Sequence, residues 1–495
     1  MKENKQKSYR EIMKGTSIFG GIQIFQILIN ILRGKIVALY LGPEGMGISG
    51  LFISSLTVII TICGLGINVS SVRYLSAQTN NEDFNKKLQE TRIIFFITAL
   101  LGMLVTMVAS FFLSQLSFKS SDFIYSYIVL SFYVFFTLFN SGYNSIFQSV
   151  RKLKVIAFAN FLPSLIALFA TFPLYYFFRM KAVVPGIIAI PFFTFIYYEV
   201  VYNKTLKQHY SLRFKEIITL FKEYISLGIF LVIGVFVGNL ITYLLNFFIS
   251  HTGSVTDVGL FNAGISITNQ YVGMLFTAMS VDYFPRLSSL INDHEKFNEL
   301  ISDQSEIIIF LAFPLLGIMI VTAPLMISIL LSDNFMELKS FITLISFGMM
   351  FKAFSYPYGY ITLAKNSKKI YFIFEVIIAN VQLFILNISG YYFYGLIGLA
   401  SSFILNYIFY FIEIKLICLF LYKIKTPAKL GFYYLFSIVI LFIMTIFSFF
   451  NKKKILYINI IIAILVAFYS IYELDKRIRL FSHAINRIKS RGQNE

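Results

Sequence analysis

Charged residues, cysteine and tryptophan are scarce in this chain of 495 residues. Only 13% of the residues are charged and none is tryptophan, whereas 58% are hydrophobic and the mean hydropathy is +0.76. A soluble domain is excluded, because its surface would need many more polar residues. The two cysteines, Cys63 and Cys418, lie in separate apolar runs, so neither a disulfide framework nor a cysteine metal site is expected. The composition predicts an integral membrane protein.

Motifs for catalysis, metal binding and nucleotide binding are missing as well. The four histidines stand apart from one another, and there is no Ser/His/Asp set, Walker sequence or acid-rich loop. The predicted loops have only about 5 to 20 residues, which is too few for a catalytic domain. We therefore expect a protein that is not an enzyme and that binds no cofactor.

Long apolar runs are what the sequence has in abundance. Most have about 20 residues or more and are separated by short polar joints, a pattern typical of spanning α-helices and not of an outer-membrane barrel. We predict an all-α polytopic membrane protein with about fourteen transmembrane helices. Because this number is even, both termini lie on the same side of the membrane.

Basic residues are distributed unequally between the two predicted faces. About 32 lysines and arginines fall on the face that carries the N-terminus and about 7 on the other, so the positive-inside rule places both termini of this multi-pass protein in the cytoplasm, at the cell (inner) membrane. The net charge of +18 thus reflects topology and attraction to membrane lipids, and no nucleic-acid partner is expected. The run NKKK, residues 451–454, is an exception because it lies on the outer face.

Two glycine-containing helix starts suggest an internal repeat. The sequences EGMGISG and TDVGLFNAG are separated by about 213 residues, an offset that carries Gly47 close to Gly259. Each copy has six spans, so we predict two parallel six-helix repeats around a central cavity, followed by a terminal helix pair. The predicted divisions are an N-terminal lobe at 1–202, a cytoplasmic linker at 203–222, a C-terminal lobe at 223–421, terminal helices 13 and 14 at 422–475, and a basic cytoplasmic tail at 476–495.

The first span carries a polar stripe that ends in an arginine. On an ideal helix Gln26, Asn30 and Arg33 share a sector of about 100°, and such a stripe should line protein or water, not lipid. Its amides serve either a substrate or hydrogen bonds between helices. Arg33 lies in the outer half of the span, whereas Lys35 lies about 160° away around the helix. Lys35 therefore either reaches the membrane interface or joins Arg33 through a bend at Gly34.

Lys352 lies about halfway along the tenth predicted span, where a lysine cannot easily reach the interface. Pro357 follows and predicts a kink at which Tyr356 and backbone carbonyls can meet a ligand. No acid of this span is spaced to pair with Lys352 on a helix. We therefore predict that Lys352 and Tyr356 contact the substrate.

Three further residues are candidates for the same site. Asn246 corresponds to Arg33 under the repeat offset, while Arg73 and Arg286 stand near the cytoplasmic ends of two spans and serve either as interfacial anchors or as a cytoplasmic gate. The acids of the spans also lie near cytoplasmic ends, where each is either an ion-pair partner or a cation site: Glu199, Asp282, Glu375 and Glu413.

Cations without nearby acids in an apolar cavity suit an anionic substrate. A phosphate or pyrophosphate accepts several charge-assisted hydrogen bonds from arginine and lysine. A cavity for organic cations should instead show carboxylates near the midplane, and this sequence has the opposite pattern.

The first two spans resemble a known family. The sequence RGKIVALYLGPEGMGISG, residues 33–50, followed by GINVSSVRYLSAQ, is similar to the start of Wzx-type polysaccharide (O-antigen) flippases of the multidrug/oligosaccharidyl-lipid/polysaccharide exporter (MOP) superfamily. The resemblance implies alternating-access transport of undecaprenyl-pyrophosphate-linked oligosaccharide repeat units from the cytoplasmic to the periplasmic leaflet, for O-antigen, a lipopolysaccharide component, or a related polysaccharide. It assigns phosphate contact to Arg33, Lys35 and Lys352, with Arg73 and Arg286 behind them.

The same resemblance implies partners and leaves alternatives open. A polymerase and a chain-length regulator of the same pathway are implied as partners, and transport is expected to be coupled to a proton or sodium gradient. Lipid II flippases and cation-coupled drug exporters are sister groups, and a membrane polysaccharide polymerase is a further alternative. The LGPEGMG sequence and the lack of a midplane acid favour the polysaccharide branch.

Overall fold

The computed structural model describes residues 2–76, 81–206, 214–424, 426–450 and 452–478. Within this part of the chain, α-helices are joined by turns and by short 3₁₀ and π-helical segments, and no strand occurs. The predicted all-α class is therefore confirmed.

Two compact units make up the fold. The first comprises Met1–Gly259 with Leu330–Ser332, and the second comprises Leu260–Ile329 with Asp333–Glu495. The predicted lobes and linker rest on the number of spans and on charge, whereas these two units are defined by packing. The two sets of boundaries therefore describe different properties of the chain. The predicted boundaries stay predictions.

The first unit contains seven helices, α1 to α7. Their bounds are α1 Lys2–Gly64, α2 Ile67–Ser76, α3 Asn81–Phe118, α4 Ile124–Ser149, α5 Leu153–Phe178, α6 Val183–Thr205 and α7 Phe214–Thr252. α3 packs along α4, and α5 packs against both α1 and α6. Aromatic side chains fill much of this core; for example, the rings of Phe52 and Tyr127 meet edge to face at 5.0 Å.

The second unit contains the remaining helices, α8 to α14. Their bounds are α8 Val255–Ser289, which begins in the first unit, α9 His294–Leu330, α10 Leu338–Ala364, α11 Lys368–Tyr371, α12 Ala379–Phe420, α13 Ala428–Phe449 and α14 Lys453–Ile478. Arg477 of α14 forms ion pairs with Glu306 of α9 and Glu473, and it donates a 3.0 Å hydrogen bond to Tyr433 of α13. This partly buried network fastens the last two helices to α9.

Ten stretches of the described residues are long and apolar enough to cross a membrane, so a multi-pass membrane protein is confirmed. Three of them, Phe25–Gly64, Leu153–Thr205 and Lys368–Phe420, have 40, 53 and 53 residues. One span needs only about 20 residues, so each of these stretches is long enough for two. The predicted eighth span, which corresponds to α8, is not among the ten. The count of fourteen stays a prediction.

Two of the long helices are interrupted. The backbone of α1 leaves helical geometry at Gly42, with φ at 64°, a left-handed value that glycine adopts without strain. Pro43 follows and starts the next helical stretch, where a missing N–H costs nothing. The predicted glycine-rich turn between the first two spans is therefore confirmed. A second interruption, at Tyr394 and Gly395, divides α12.

The backbones of α1 and α8 touch at two glycines. A Cβ atom on Gly47 would overlap the carbonyl oxygen of Val255, and one on Gly259 would overlap that of Pro43. Only glycine allows so close an approach. These are the two glycines that the repeat offset brings into correspondence, although the repeat itself stays a prediction.

Candidate functional site

Arg33 of α1 contacts α6 within the first unit. Its Nη2 atom donates a 3.0 Å hydrogen bond to the carbonyl oxygen of Gly186, near the start of α6. The hydroxyl of Tyr175, near the end of α5, lies against the backbone of Gly186, beside this contact. Arg33 of α1 is thus tied to the start of α6 by one hydrogen bond.

Gly186 makes this arrangement possible. A Cβ atom there would overlap the Tyr175 hydroxyl and would lie 2.6 Å from its Cζ atom. Tyr175 is only 3% exposed, so its ring has little room to move away. The missing side chain therefore lets the tyrosine hydroxyl pack against Gly186, whose carbonyl accepts from Arg33.

The charge of Arg33 is compensated only by neutral groups. No Asp or Glu of the described ranges forms an ion pair with it. A guanidinium has five N–H donors, and the hydrogen bond to Gly186 uses one of them. A partly buried arginine with spare donors and no carboxylate favours binding of an anion.

The rest of the predicted polar stripe differs in exposure. Gln26 is partly buried and Asn30 is exposed. The backbone of α1 leaves helical geometry at Gly42 and not at Gly34, so Arg33 and Lys35 lie on a helical stretch, about 160° apart around its axis. The two roles considered for Lys35 stay predictions.

Three other predicted residues have separate surroundings. Arg286 forms an ion pair with Asp282 at 3.0 Å, and both side chains are more than half exposed. Its charge is thus met locally by the acid one turn earlier. Arg73 is exposed near the end of α2, and Asn246 is buried on α7 with 1% exposure.

Lys352 lines a cavity of about 380 Å³ in the second unit. Such a volume is typical of pockets for small organic ligands. The wall is rich in hydroxyl and amide groups, and it consists of Lys352, Ser355, Tyr356, Gly359, Tyr360, Leu363, Tyr371, Glu375, Asn406, Tyr407 and Tyr410. The predicted pair of Lys352 and Tyr356 therefore belongs to one cavity.

Aromatic rings hold the Lys352 ammonium. It lies 5.7 Å from the ring centre of Phe276 and 5.6 Å from that of Tyr407. Tyr356 stacks on Phe276 and donates a hydrogen bond to its carbonyl oxygen. Among the residues that the structure describes, no carboxylate pairs with Lys352. The helix α10 continues through Pro357, whose carbonyl accepts from Tyr283 at 2.9 Å, so this carbonyl is not free for a ligand.

Glu375 is an acid of the same cavity, and it sits on a π-helical segment, Phe372–Ile378. Its Oε1 atom accepts a 2.7 Å hydrogen bond from Tyr410. The Asn380 amide donates to the backbone carbonyls of Glu375 and Val376, which the wider turn leaves available. π-Helical turns are frequent at functional sites. Within the described chain no basic residue forms an ion pair with Glu375.

Glu199 has a structural explanation that the sequence did not distinguish. It pairs with Arg92 of α3 at 2.6 Å and accepts hydrogen bonds from Tyr143 and Asn203. Arg92 immediately precedes a predicted span, and Glu199 lies 107 residues further along the chain. No spacing in the sequence therefore indicates that the two residues form a pair. Glu199 is therefore an ion-pair partner, one of the two roles left open for it.

The family of the chain follows from a comparison with family models. A model described as "Polysaccharide biosynthesis protein" matches residues 36–340, more than half of the chain. The chain belongs to this family. Arg33 and Lys352 both lie outside the matched residues of this polysaccharide biosynthesis protein, so their roles depend on geometry. No curated protein matches the chain.

Solved structures show that this polysaccharide biosynthesis protein has the fold of MOP superfamily transporters. The lipid II flippase MurJ in an inward closed conformation is similar with a TM-score of 0.72 and 17% identity, over 93% of this chain and 99% of MurJ. An inward-facing MATE multidrug transporter has a TM-score of 0.61 and 17% identity, over 79% and 93%. A MOP transporter from Pyrococcus furiosus has a TM-score of 0.52 and 16% identity, over 81% and 92%. The resemblance noted in the first two spans is confirmed at this level.

Proposed function

We propose that the protein is a flippase for undecaprenyl-pyrophosphate-linked oligosaccharide repeat units of O-antigen or a related surface polysaccharide. It moves them from the cytoplasmic to the periplasmic leaflet of the inner membrane by alternating access, and both termini are cytoplasmic. Under this proposal the protein transports its substrate without chemical change, and a polymerase and a chain-length regulator act on the product.

The observation that carries the proposal is the environment of Arg33. A partly buried guanidinium that donates to a backbone carbonyl, with no carboxylate partner in the described residues, favours an anionic group. Membership of a polysaccharide biosynthesis family makes a phosphate-linked glycan the natural source of that anion. Lys352 supplies a second cation beside hydroxyl-bearing side chains that suit sugars.

Coupling to a proton or sodium gradient is part of the proposal. Glu375 is its candidate group, because it lines the Lys352 cavity on a π-helical turn and accepts from a tyrosine, not from a cation. Binding of a proton or Na⁺ at this carboxylate would change the net charge next to Lys352. The cavity would then attract a phosphate more strongly, so the two bound species would be linked.

The decisive experiment measures flipping by Arg33→Ala and Lys352→Ala in proteoliposomes. The full-length protein is reconstituted with a fluorescent undecaprenyl-pyrophosphate oligosaccharide, and its exposure to an external glycosidase is followed. Loss of one charge-assisted contact predicts a rate about 10- to 100-fold lower for Arg33→Ala. The matched control is Lys181→Ala, an exposed cation close to Gly186 in sequence, and it should flip normally. Normal flipping by both site variants would refute the assigned site.

Lipid II is the second candidate substrate. It is favoured by the similarity to MurJ over 93% of this chain, and it enters the same assay as a competing substrate. Flipping of lipid II without the oligosaccharide lipid would select this alternative. Efflux of a cationic drug without flipping of either lipid would instead identify the protein as a drug exporter.

A further inference from the structure

A second basic pocket lies in the second unit, apart from the Lys352 cavity. It measures about 200 Å³ and is bounded by residues of α9, α10 and α14 and by the connection after α13. Three lysines line it: Lys339, Lys452 and Lys453. The last two belong to the NKKK run, whose charge contradicts the positive-inside pattern. A pocket lined by Lys452 and Lys453 gives a physical reason for this exception to the positive-inside pattern.

The pocket wall carries positive charge without an acid. Lys452 and Lys453 are exposed at the start of α14, and Lys339 is partly buried at the start of α10. No Asp or Glu of the described residues is part of the lining. Lys452 and Lys453 both line this small pocket, so their positive charges favour an anion within it. The charge pattern therefore points to an anionic ligand.

A buried amide in the same wall indicates a second property of the ligand. Asn459 is 1% exposed, and its Nδ2 atom donates to the Met444 carbonyl at 2.9 Å. Its Oδ1 atom has no hydrogen-bond partner in the described structure. A buried polar atom without a partner is costly, so a ligand hydroxyl that donates to it would be favoured. The Ser448 hydroxyl belongs to the same lining.

The rim of the pocket is apolar and exposed. Phe450 and Leu456 line the pocket, and they are 52% and 47% exposed. A free phosphate or sugar would gain nothing from these side chains, whereas lipid acyl chains would pack against them. The end of α13 and the start of α14 also mark a membrane interface, where lipid headgroups lie.

We propose that this pocket binds the headgroup of an anionic phospholipid that bears a free hydroxyl, of the phosphatidylglycerol type. The phosphate lies between the Lys452 and Lys453 ammonium groups, with Lys339 behind them, and a glycerol hydroxyl donates to Asn459. On the predicted topology the lipid belongs to the outer leaflet. The site is independent of the flippase proposal, and it braces the turn between α13 and α14 at the end opposite the Arg477 network.

The test titrates the full-length protein in detergent with three lipids of identical dioleoyl chains. These are phosphatidylglycerol, phosphatidic acid and phosphatidylcholine, and bound lipid is counted by native mass spectrometry. Each lysine near the phosphate contributes about fivefold in affinity, so Lys452→Gln and Lys453→Gln should each weaken phosphatidylglycerol binding by about this factor. Lys454→Gln is the matched control, because Lys454 is the next exposed lysine but does not line the pocket. It should change binding less than about twofold.

Two outcomes would overturn the proposal. Equal losses for Lys454→Gln and Lys452→Gln would mean diffuse attraction to a basic surface and not a built pocket. Competition by soluble glycerol 1-phosphate at the affinity of the lipid would mean a free phosphate site. The hydroxyl is tested separately: Asn459→Leu should abolish a preference for phosphatidylglycerol over phosphatidic acid, and a preference that survives would refute the role of Asn459.

Discussion

Arg33 in the first unit and Lys352 in the second are both cations without a carboxylate partner in the described chain, yet they are held differently. Arg33 donates a directional hydrogen bond to the Gly186 carbonyl, whereas the Lys352 ammonium lies near the faces of two aromatic rings. Hydrogen bonds fix the direction of a guanidinium, but the face of a ring accepts a cation over a range of angles. The first cation is therefore oriented, and the second is held mainly by its charge.

The two sites also differ in their surroundings. The Lys352 cavity contains an acid, Glu375, and five tyrosines, while the hydrogen bond of Arg33 goes to a backbone carbonyl. An acid beside a lysine allows the net charge of a site to change when a cation binds. Under the proposed function, both units would contact the anion, whereas the response to an ion gradient would reside in the second unit.

The largest effect is expected from Gly186→Ala, which attacks the oriented site. The added methyl group must displace the buried Tyr175 ring, and overpacking of this kind costs about 1–3 kcal/mol in the free energy of unfolding. Flipping should fall about as far as in Arg33→Ala, because the overlap disturbs the Gly186 carbonyl that accepts from Arg33. The thermal midpoint in detergent and the flipping rate are the two measurements.

A neighbouring glycine is the control for this prediction. A Cβ atom on Gly34 meets nothing within 4 Å, and its backbone is helical, so Gly34→Ala should stabilise the protein by about 0.5–1 kcal/mol. If both variants shift the midpoint in the same direction, the packing argument for Gly186 fails.

A smaller but more selective effect is expected from exchanging the two kinds of cation. Arg33→Lys keeps the charge but loses the planar guanidinium, which can donate to the Gly186 carbonyl and to an anion at the same time, so flipping should drop about tenfold. Lys352→Arg should stay within about threefold of the parent, because aromatic faces accept arginine readily. Equal flipping rates for Arg33→Lys and Lys352→Arg would contradict the distinction between a cation that is held in one orientation and a cation that acts mainly through its charge.

The smallest effect on the basal rate is expected from Glu375→Gln. The amide oxygen can still accept from Tyr410, so folding and flipping without a gradient should be preserved, while stimulation by an imposed proton or sodium gradient disappears. Flipping is measured in vesicles with and without each gradient. Glu413→Gln is the control, since Glu413 does not line the cavity. Stimulation that persists in Glu375→Gln would exclude this carboxylate from coupling.

The fold class and the position of Arg33 could be predicted from sequence because they depend on local properties. Apolar length identifies a membrane helix, and a charge within such a helix is conspicuous. The sequence also indicates the interruption at Gly42, since glycine followed by proline disfavours a continuous helix.

The partners of these charges could not be predicted. Gly186 is separated from Arg33 by 153 residues, and nothing in either segment indicates that they meet. The π-helical segment that contains Glu375 depends on a shift in the backbone hydrogen-bond register, and no residue pattern in the sequence indicates such a shift. The interruption of α1 falls at Gly42, where proline follows, and the backbone at Gly34 is helical.

The contact between Gly47 and Gly259 has a consequence for how the chain is made. The two residues are 259 minus 47, or 212, positions apart, and their backbones touch. A ribosome adds about 5 to 20 residues per second, so the surface around Gly47 waits roughly 10 to 40 s for its partner to emerge. Until then the close backbone contact of α1 at Gly47 cannot form, so this part of the first unit is completed only when the start of α8 has been synthesised.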